Sequence, residues 1–184
     1  LQFVYRHATM SDKAETYRQA LVHLIAQYGN QPVTAQARGA LAAGYVEEGN
    51  NYDEAKGNEK AKNALITARE ICEKTIAQFP NTEGANQCAN LLNTILLKSL
   101  ELKTEKVNIP GEAFRTLVTY KNLSSCYFRV IPVNNAFKEQ WGYSYDTAYW
   151  EKLIARPTTR SWQQELPVTS DHRQHSVEIK VDAL

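Results

Sequence analysis

Apolar residues recur three and four apart along the first half of the chain and two apart along most of the second. The pattern therefore predicts helices first and strands afterwards. Ala14, Tyr17, Leu21, Leu24, Ile25 and Tyr28 share one helical face, with Ser11 or Asp12 placed to cap its start and Gly29-Asn30-Gln31-Pro32 to end it. A second helix is expected over about 34–48, with Ala37, Ala40, Leu41, Gly44 and Tyr45 on its buried side and a break at Gly49-Asn50-Asn51. A third, over about 58–78, turns Ala61, Leu65, Ala68, Cys72, Ile76 and Phe79 inward. Pro80-Asn81-Thr82 stops it and starts a fourth, which buries Ala85, Cys88, Leu92, Ile95 and Leu96.

The period changes across residues 104–133. This stretch reads as a strand carrying Val107 and Ile109, a Pro110-Gly111 turn, and a second strand with Phe114, Thr116, Val118 and Tyr120 on one face. A turn at 121–125 then leads to a third strand with Cys126, Phe128 and Val130. A short helical insertion follows, capped by Asn134 or Asn135, carrying Phe137 and Trp141, interrupted at Gly142 and resumed by Tyr149, Trp150, Leu153 and Ile154. β structure returns over 159–166. The last strand alternates most cleanly, with His175, Val177, Ile179 and Val181 on one side and Ser176, Glu178, Lys180 and Asp182 on the other.

These segments imply an α+β fold in two parts, a helical-hairpin region over 1–103 and a β domain over 104–184. Ile25-Ala26-Gln27-Tyr28-Gly29-Asn30 lines up with Ile76-Ala77-Gln78-Phe79-Pro80-Asn81, each followed by a second helix. Two such helix pairs look tetratricopeptide-like, with a longer spacing because residues 49–57 add a linker. With two units visible, one exposed end is expected to dock on the β half. The antiparallel sheet in turn needs a second layer over its apolar face.

Twenty-one Lys and Arg nearly cancel twenty Asp and Glu across 184 residues, giving a net charge of +1. No basic run favours nucleic acid or a membrane surface, and the apolar run 91–97 is too short to span a bilayer. The chain opens on Leu1 and stops directly after a strand, so a piece of a longer protein is expected. Among three cysteines, Cys72 lies eight positions before Pro80 and Cys88 eight after it. Those positions share a height in an antiparallel hairpin, which leaves open both a disulfide and two small buried thiols.

Chemistry-bearing patterns are sparse. His172 and His175 have no evident carboxylate or thiol set and read as polar surface at the start of a strand. Asp146 and Glu151 are five apart on the insertion and point away from each other. Ser124 and Ser125 lack a base, and Cys126 lacks an electropositive setting. The aromatic cluster at 141–150 suits packing of the insertion better than a sugar or partner platform. No catalytic, cofactor-binding or metal-ligating residue is therefore assigned, and no cofactor is expected.

Residues 104–184 nevertheless resemble the first macroglobulin-like β domain of bacterial alpha-2-macroglobulin family proteins. The resemblance rests on Thr104-Glu105-Lys106-Val107, Pro110-Gly111-Glu112-Ala113-Phe114, Leu117 to Asn122, and Tyr127-Phe128-Arg129-Val130. Arg160-Ser161-Trp162, Glu165-Leu166-Pro167 and His175-Ser176-Val177-Glu178-Ile179 extend it, while the helices match only loosely. It implies a periplasmic or cell-envelope protein that traps or inhibits peptidases, in many members through an internal Cys-Gln thioester. No Cys-x-Glu-Gln occurs in these residues and no bait segment can be assigned, so no functional residue carries over. The implied role is a non-catalytic scaffold. Its partners are later domains of the same parent chain and, through the parent, peptidases; membrane contact comes only through a lipid anchor elsewhere. The alternatives are a glycan-binding or adaptor module of a cell-envelope lipoprotein.

Overall fold

The computed structural model describes residues 2–7, 9, 11–105, 107–141 and 147–183. Five helices come first: α1 (Gln2–His7), α2 (Lys13–Tyr28), α3 (Thr34–Asn50), α4 (Ala64–Gln78) and α5 (Glu83–Leu96). Strands β1 (Ser99–Thr104), β2 (Phe114–Lys121) and β3 (Ser125–Val130) follow, then α6 (Asn135–Trp141) and α7 (Thr147–Ile154). β4 (Arg160–Glu165) and β5 (His175–Val181) complete the order. The fold is α+β with antiparallel sheets.

Contacts divide the chain into two compact units, Leu1–Asn122 with Thr169–Leu184, and Leu123–Val168. These units do not follow the 103/104 boundary read from the hydrophobic period. β1 and β2 belong with the helices, and β5 returns to join them.

In the larger unit the helices pack through small residues. Ala42, Cys72 and Cys88 form one buried cluster, and Leu65, Ala68 and Ile95 another. The buried side of α3 is Ala35, Gly39, Ala42 and Gly49 rather than the expected Ala40, Leu41 and Gly44. Because α3 meets α4 and α5 as well as α2, small residues on both its flanks blur any single apolar stripe. α3 ends at Asn50, within the expected break at Gly49-Asn50-Asn51. Gly49 lies in its last turn, where a Cβ would come 2.7 Å from Leu65 Cγ, so the absent side chain permits the approach to α4. Gly84 plays the same part between α5 and α3, since a Cβ there would fall on the backbone of Ala35 and Gln36. Residues 58–63 form a short 3-10 turn (Glu59–Ala61) before α4, which therefore starts later than its apolar period. Thr82 closes the α4–α5 turn, donating to Phe79 O at 2.8 Å and accepting from Ala85 N at 3.2 Å. Leu96, expected inside, is exposed at the end of α5.

The sheet of this unit has the order β1-β2-β5. Val118 pairs with Leu102 and Val177, and Tyr120 with Leu100 and His175, so these side chains share one face. Val118, Tyr120, Ile179 and Val181 are buried. The first strand is β1 and not the expected 105–109, where Val107 and Ile109 are exposed. Leu100 and Leu102 find cross-strand partners on β2, whereas among the described residues no strand pairs with 107–109.

The smaller unit holds the ladder β3–β4 and helices α6 and α7. β3 pairs with β4 across the insertion instead of continuing the sheet from β2. Asn122, at a positive φ of 54°, turns the chain between them. Asn134 caps α6, accepting from Phe137 N at 2.9 Å. Gly142, Tyr143, Tyr145 and Asp146, like the Trp141 side chain, lie outside the described residues.

Candidate functional site: the loop from Asp171 to His175

A polar constellation sits where the chain enters β5. Asp171 accepts through Oδ2 from Arg173 Nε at 2.9 Å and Nη2 at 2.6 Å, and through Oδ1 from the Arg173 backbone N at 3.1 Å. His175 Nε2 lies 2.8 Å from the same Oδ1. The Arg173 guanidinium stacks over the Tyr52 ring at 4.2 Å, tying the loop to the segment after α3. Burial acts to raise the Asp171 carboxyl, but bonds from His175 and Arg173 outweigh it and hold the pKa down at about 2. A carboxylate so fully engaged is a poor proton acceptor at neutral pH.

His172 is held from two sides. Asn122 Nδ2 donates to Ile95 O at 2.9 Å and Leu97 O at 3.1 Å, which fixes the amide and leaves Oδ1 as an acceptor. His172 Nδ1, 2.8 Å from that Oδ1, must then carry the proton. Its Nε2 accepts from Arg69 Nη1 at 3.3 Å. The neutral ring satisfies both contacts; the imidazolium would aim an N–H at a guanidinium. Burial first, then the charges of Arg69 and Lys121, lower the His172 pKa, while Asp171 and Glu73 act in the opposite sense. Asn122 and His172 both take left-handed backbone conformations, φ 54° and 57°. Such conformations are uncommon outside glycine, though less so for Asn and His. Lys121 Nζ adds a bond to Thr94 O at 3.0 Å.

Two open polar clefts, of about 520 Å3 and about 250 Å3, share Tyr52 and Arg173 in their walls. Asp53 and His175 face the larger, Lys121 and His172 the smaller. Among the described residues no group of three or more His, Cys, Asp or Glu is placed to hold a metal ion. The constellation is a fastening: its donors and acceptors are used on one another, on Arg69 of α4 and on the C-terminal carbonyls of α5. The two histidines are therefore half-buried and partnered rather than surface polar groups. The Asp at i−4 from His175 was the available signal. The distant partners Arg69, Asn122 and Tyr52 leave no local trace.

A second concave surface lies among α1, α2 and α3, a groove of about 480 Å3 with Ala40 and Gly44 in its wall. Tyr5 stacks on Tyr17 at 4.6 Å, and Arg18 sits over Tyr45 at 5.1 Å. Arg18 Nη1 is 3.0 Å from Glu48 Oε2, an ion contact without hydrogen-bond alignment on that oxygen.

The other sequence candidates separate. Glu151 is exposed on α7. Ser124 serves the ladder through its carbonyl, accepting from Leu166 N at 2.9 Å. Cys126 is buried, and burial pushes its thiol up, away from thiolate character. In the aromatic cluster Tyr149 contacts Phe137 at 6.0 Å and Trp150 edge-on at 5.3 Å, with Trp150 half exposed. No helix is long and apolar enough to cross a membrane, among the described residues.

The chain matches no protein-family model, and neither a curated protein nor a solved structure matches it.

Proposed function

We propose that this chain is a non-catalytic scaffold and interaction unit, the N-terminal part of an envelope-located alpha-2-macroglobulin-like protein that traps or inhibits peptidases. In this reading tetratricopeptide-like hairpins seat on the first strands of a macroglobulin-like β domain, then space and orient the domains that follow. The observation that carries the scaffold role is the way the polar groups are used. Asp171 and Arg173 bond to each other, Arg173 stacks on Tyr52, and His172 bonds to Arg69 and Asn122, fastening helices to sheet instead of converging on a vacant reaction centre. The family itself is supported by the residues quoted from 104–184.

The parent chain carrying these residues tests the reading. After incubation with a broad-specificity endopeptidase, cleavage of a small peptide substrate should persist while cleavage of a large protein substrate is lost. Equal loss or equal retention of both activities would rule out a trap.

The groove among α1, α2 and α3 favours a second reading, an adaptor that holds a peptide segment. Gly44 is exposed in its wall, and a Cβ there meets nothing within 4 Å, so Gly44→Trp should fill the groove without disturbing the helices. Loss of a defined partner on that change, with unaltered circular dichroism, would favour the adaptor. Polysaccharide binding abolished by Trp150→Ala would instead favour a glycan-binding module.

A further inference from the structure

Cys72 on α4 and Cys88 on α5 are both 0% exposed and belong to one three-residue cluster whose third member is Ala42. Cys72 lies eight positions before Pro80 and Cys88 eight after it, and the two helices pack side by side, so the thiols come together in that cluster. Cys72 lies in the same cluster as Cys88 and, with Thr75 and the Arg38 guanidinium, acts to lower the Cys88 pKa against burial. Arg38 donates through Nη2 to Gly29 O at 3.1 Å, but its buried Nε has no hydrogen-bond partner among the described residues. An acidified thiol beside a second thiol and an incompletely satisfied cation is an arrangement that ordinary core packing does not require. Cys126 makes the contrast. It is a single buried thiol, raised by burial, in the other compact unit.

We propose that Cys72 and Cys88 are a disulfide-forming site, a buried dithiol that a small-molecule disulfide converts into a covalent staple across the α4–α5 hairpin. The Cys88 thiolate attacks one sulfur of the small disulfide RSSR, and one RS⁻ leaves. The Cys72 sulfur then attacks Cys88 in the mixed disulfide and displaces the second RS⁻. The protons released by the two cysteines pass to the two RS⁻, so two protein thiols are oxidised as one RSSR is reduced to two RSH. In the closed hairpin Cys72, and after it Thr75 and Arg38, lower the Cys88 pKa against the opposing effect of burial; in the opened hairpin the thiol attacks through its ordinary thiolate fraction. Because both sulfurs are shielded, exchange proceeds before the hairpin closes or when it opens locally. The staple does not depend on the peptidase-trap reading, and it holds or fails whatever the parent protein does.

The test is to refold the full chain in oxidised glutathione and measure intact mass, remaining thiols and the mapped peptide pair. The expected product has lost two hydrogens, retains the Cys126 thiol alone, and yields a peptide joined between Cys72 and Cys88. Closing a loop of about 15 residues should raise the folding equilibrium constant on the order of 100-fold in urea titration. Glutathione left on Cys72 or Cys88, a bridge that includes Cys126, or an oxidised form that unfolds at lower urea would each overturn the proposal. Cys126→Ala should leave the product unchanged, and the mapping of the unsubstituted chain decides the matter if that variant folds poorly.

Discussion

The two β assemblies hold themselves together differently. In the three-stranded sheet Val118 and Tyr120 on β2, with Ile179 and Val181 on β5, are almost entirely removed from water. The β3–β4 ladder has one buried side chain within its strands, Cys126, and relies on Phe128 stacked against Trp162 at 4.9 Å, with Arg160 over the indole at 5.0 Å. Burial of apolar area stabilises a sheet through many small contributions. A two-stranded ladder depends on a few cross-strand pairs, and isolated hairpins are marginal in water. The larger unit should therefore set the global stability, and the ladder should open locally at lower cost.

The largest expected effect lies in the larger unit. Ile95→Ala removes a side chain that is 1% exposed and packs with Leu65 and Ala68, and it should cost about 2–5 kcal/mol in urea unfolding. A loss below about 1 kcal/mol would show that this core does not govern unfolding. Gly84→Ala should come next, at about 1–3 kcal/mol, because its Cβ meets the Ala35 and Gln36 backbone, which has no free rotamer to yield. Thermal unfolding would read it, and a neutral or stabilising result would mean that α3 and α5 shift apart readily.

Trp162→Ala breaks the aromatic pair, worth about 0.5–1.5 kcal/mol beyond its area. Amide exchange should quicken along β3 and β4 while β2 and β5 hold their protection. Equal acceleration in both sheets would erase the distinction between them.

The smallest effect should be a pH dependence at His172. Its pKa is lowered in the folded chain, so between that value and the ordinary 6.5 the unfolded chain binds more protons. Stability is thus complete above 6.5 and declines as pH falls through that window. Arg69, Lys121, Asp171 and Glu73 are the charges that act on the ring. His172→Gln should remove this slope from a series of urea midpoints taken between neutral and mildly acidic pH. An unchanged slope would assign it to other groups.

Strands β2 and β5 were legible because alternation over seven or eight residues decides which side is wet. The ends of α2, α4 and α5 were marked by Gly29, Pro80 and Thr82, whose backbone and capping preferences act locally. The buried face of α3 differs from its apolar period, since Ala and Gly on several flanks fit more than one packing. β1 is not legible locally, because Leu100 and Leu102 continue the helical run before them as readily as they form a strand.

At the candidate site the sequence placed Asp171, His172 and His175 side by side but not their purpose. The partners of that loop lie 103 residues away at Arg69 and 50 away at Asn122. Local chemistry by itself determined the helices, the strongest strands, the insertion and the position of the thiols about their turn. Only the tertiary structure decided which strands pair, that β5 returns to β2, and that the loop before it binds the helices. Pairing and fastening depend on contacts between residues far apart in the chain, and no periodicity of neighbouring residues carries that information.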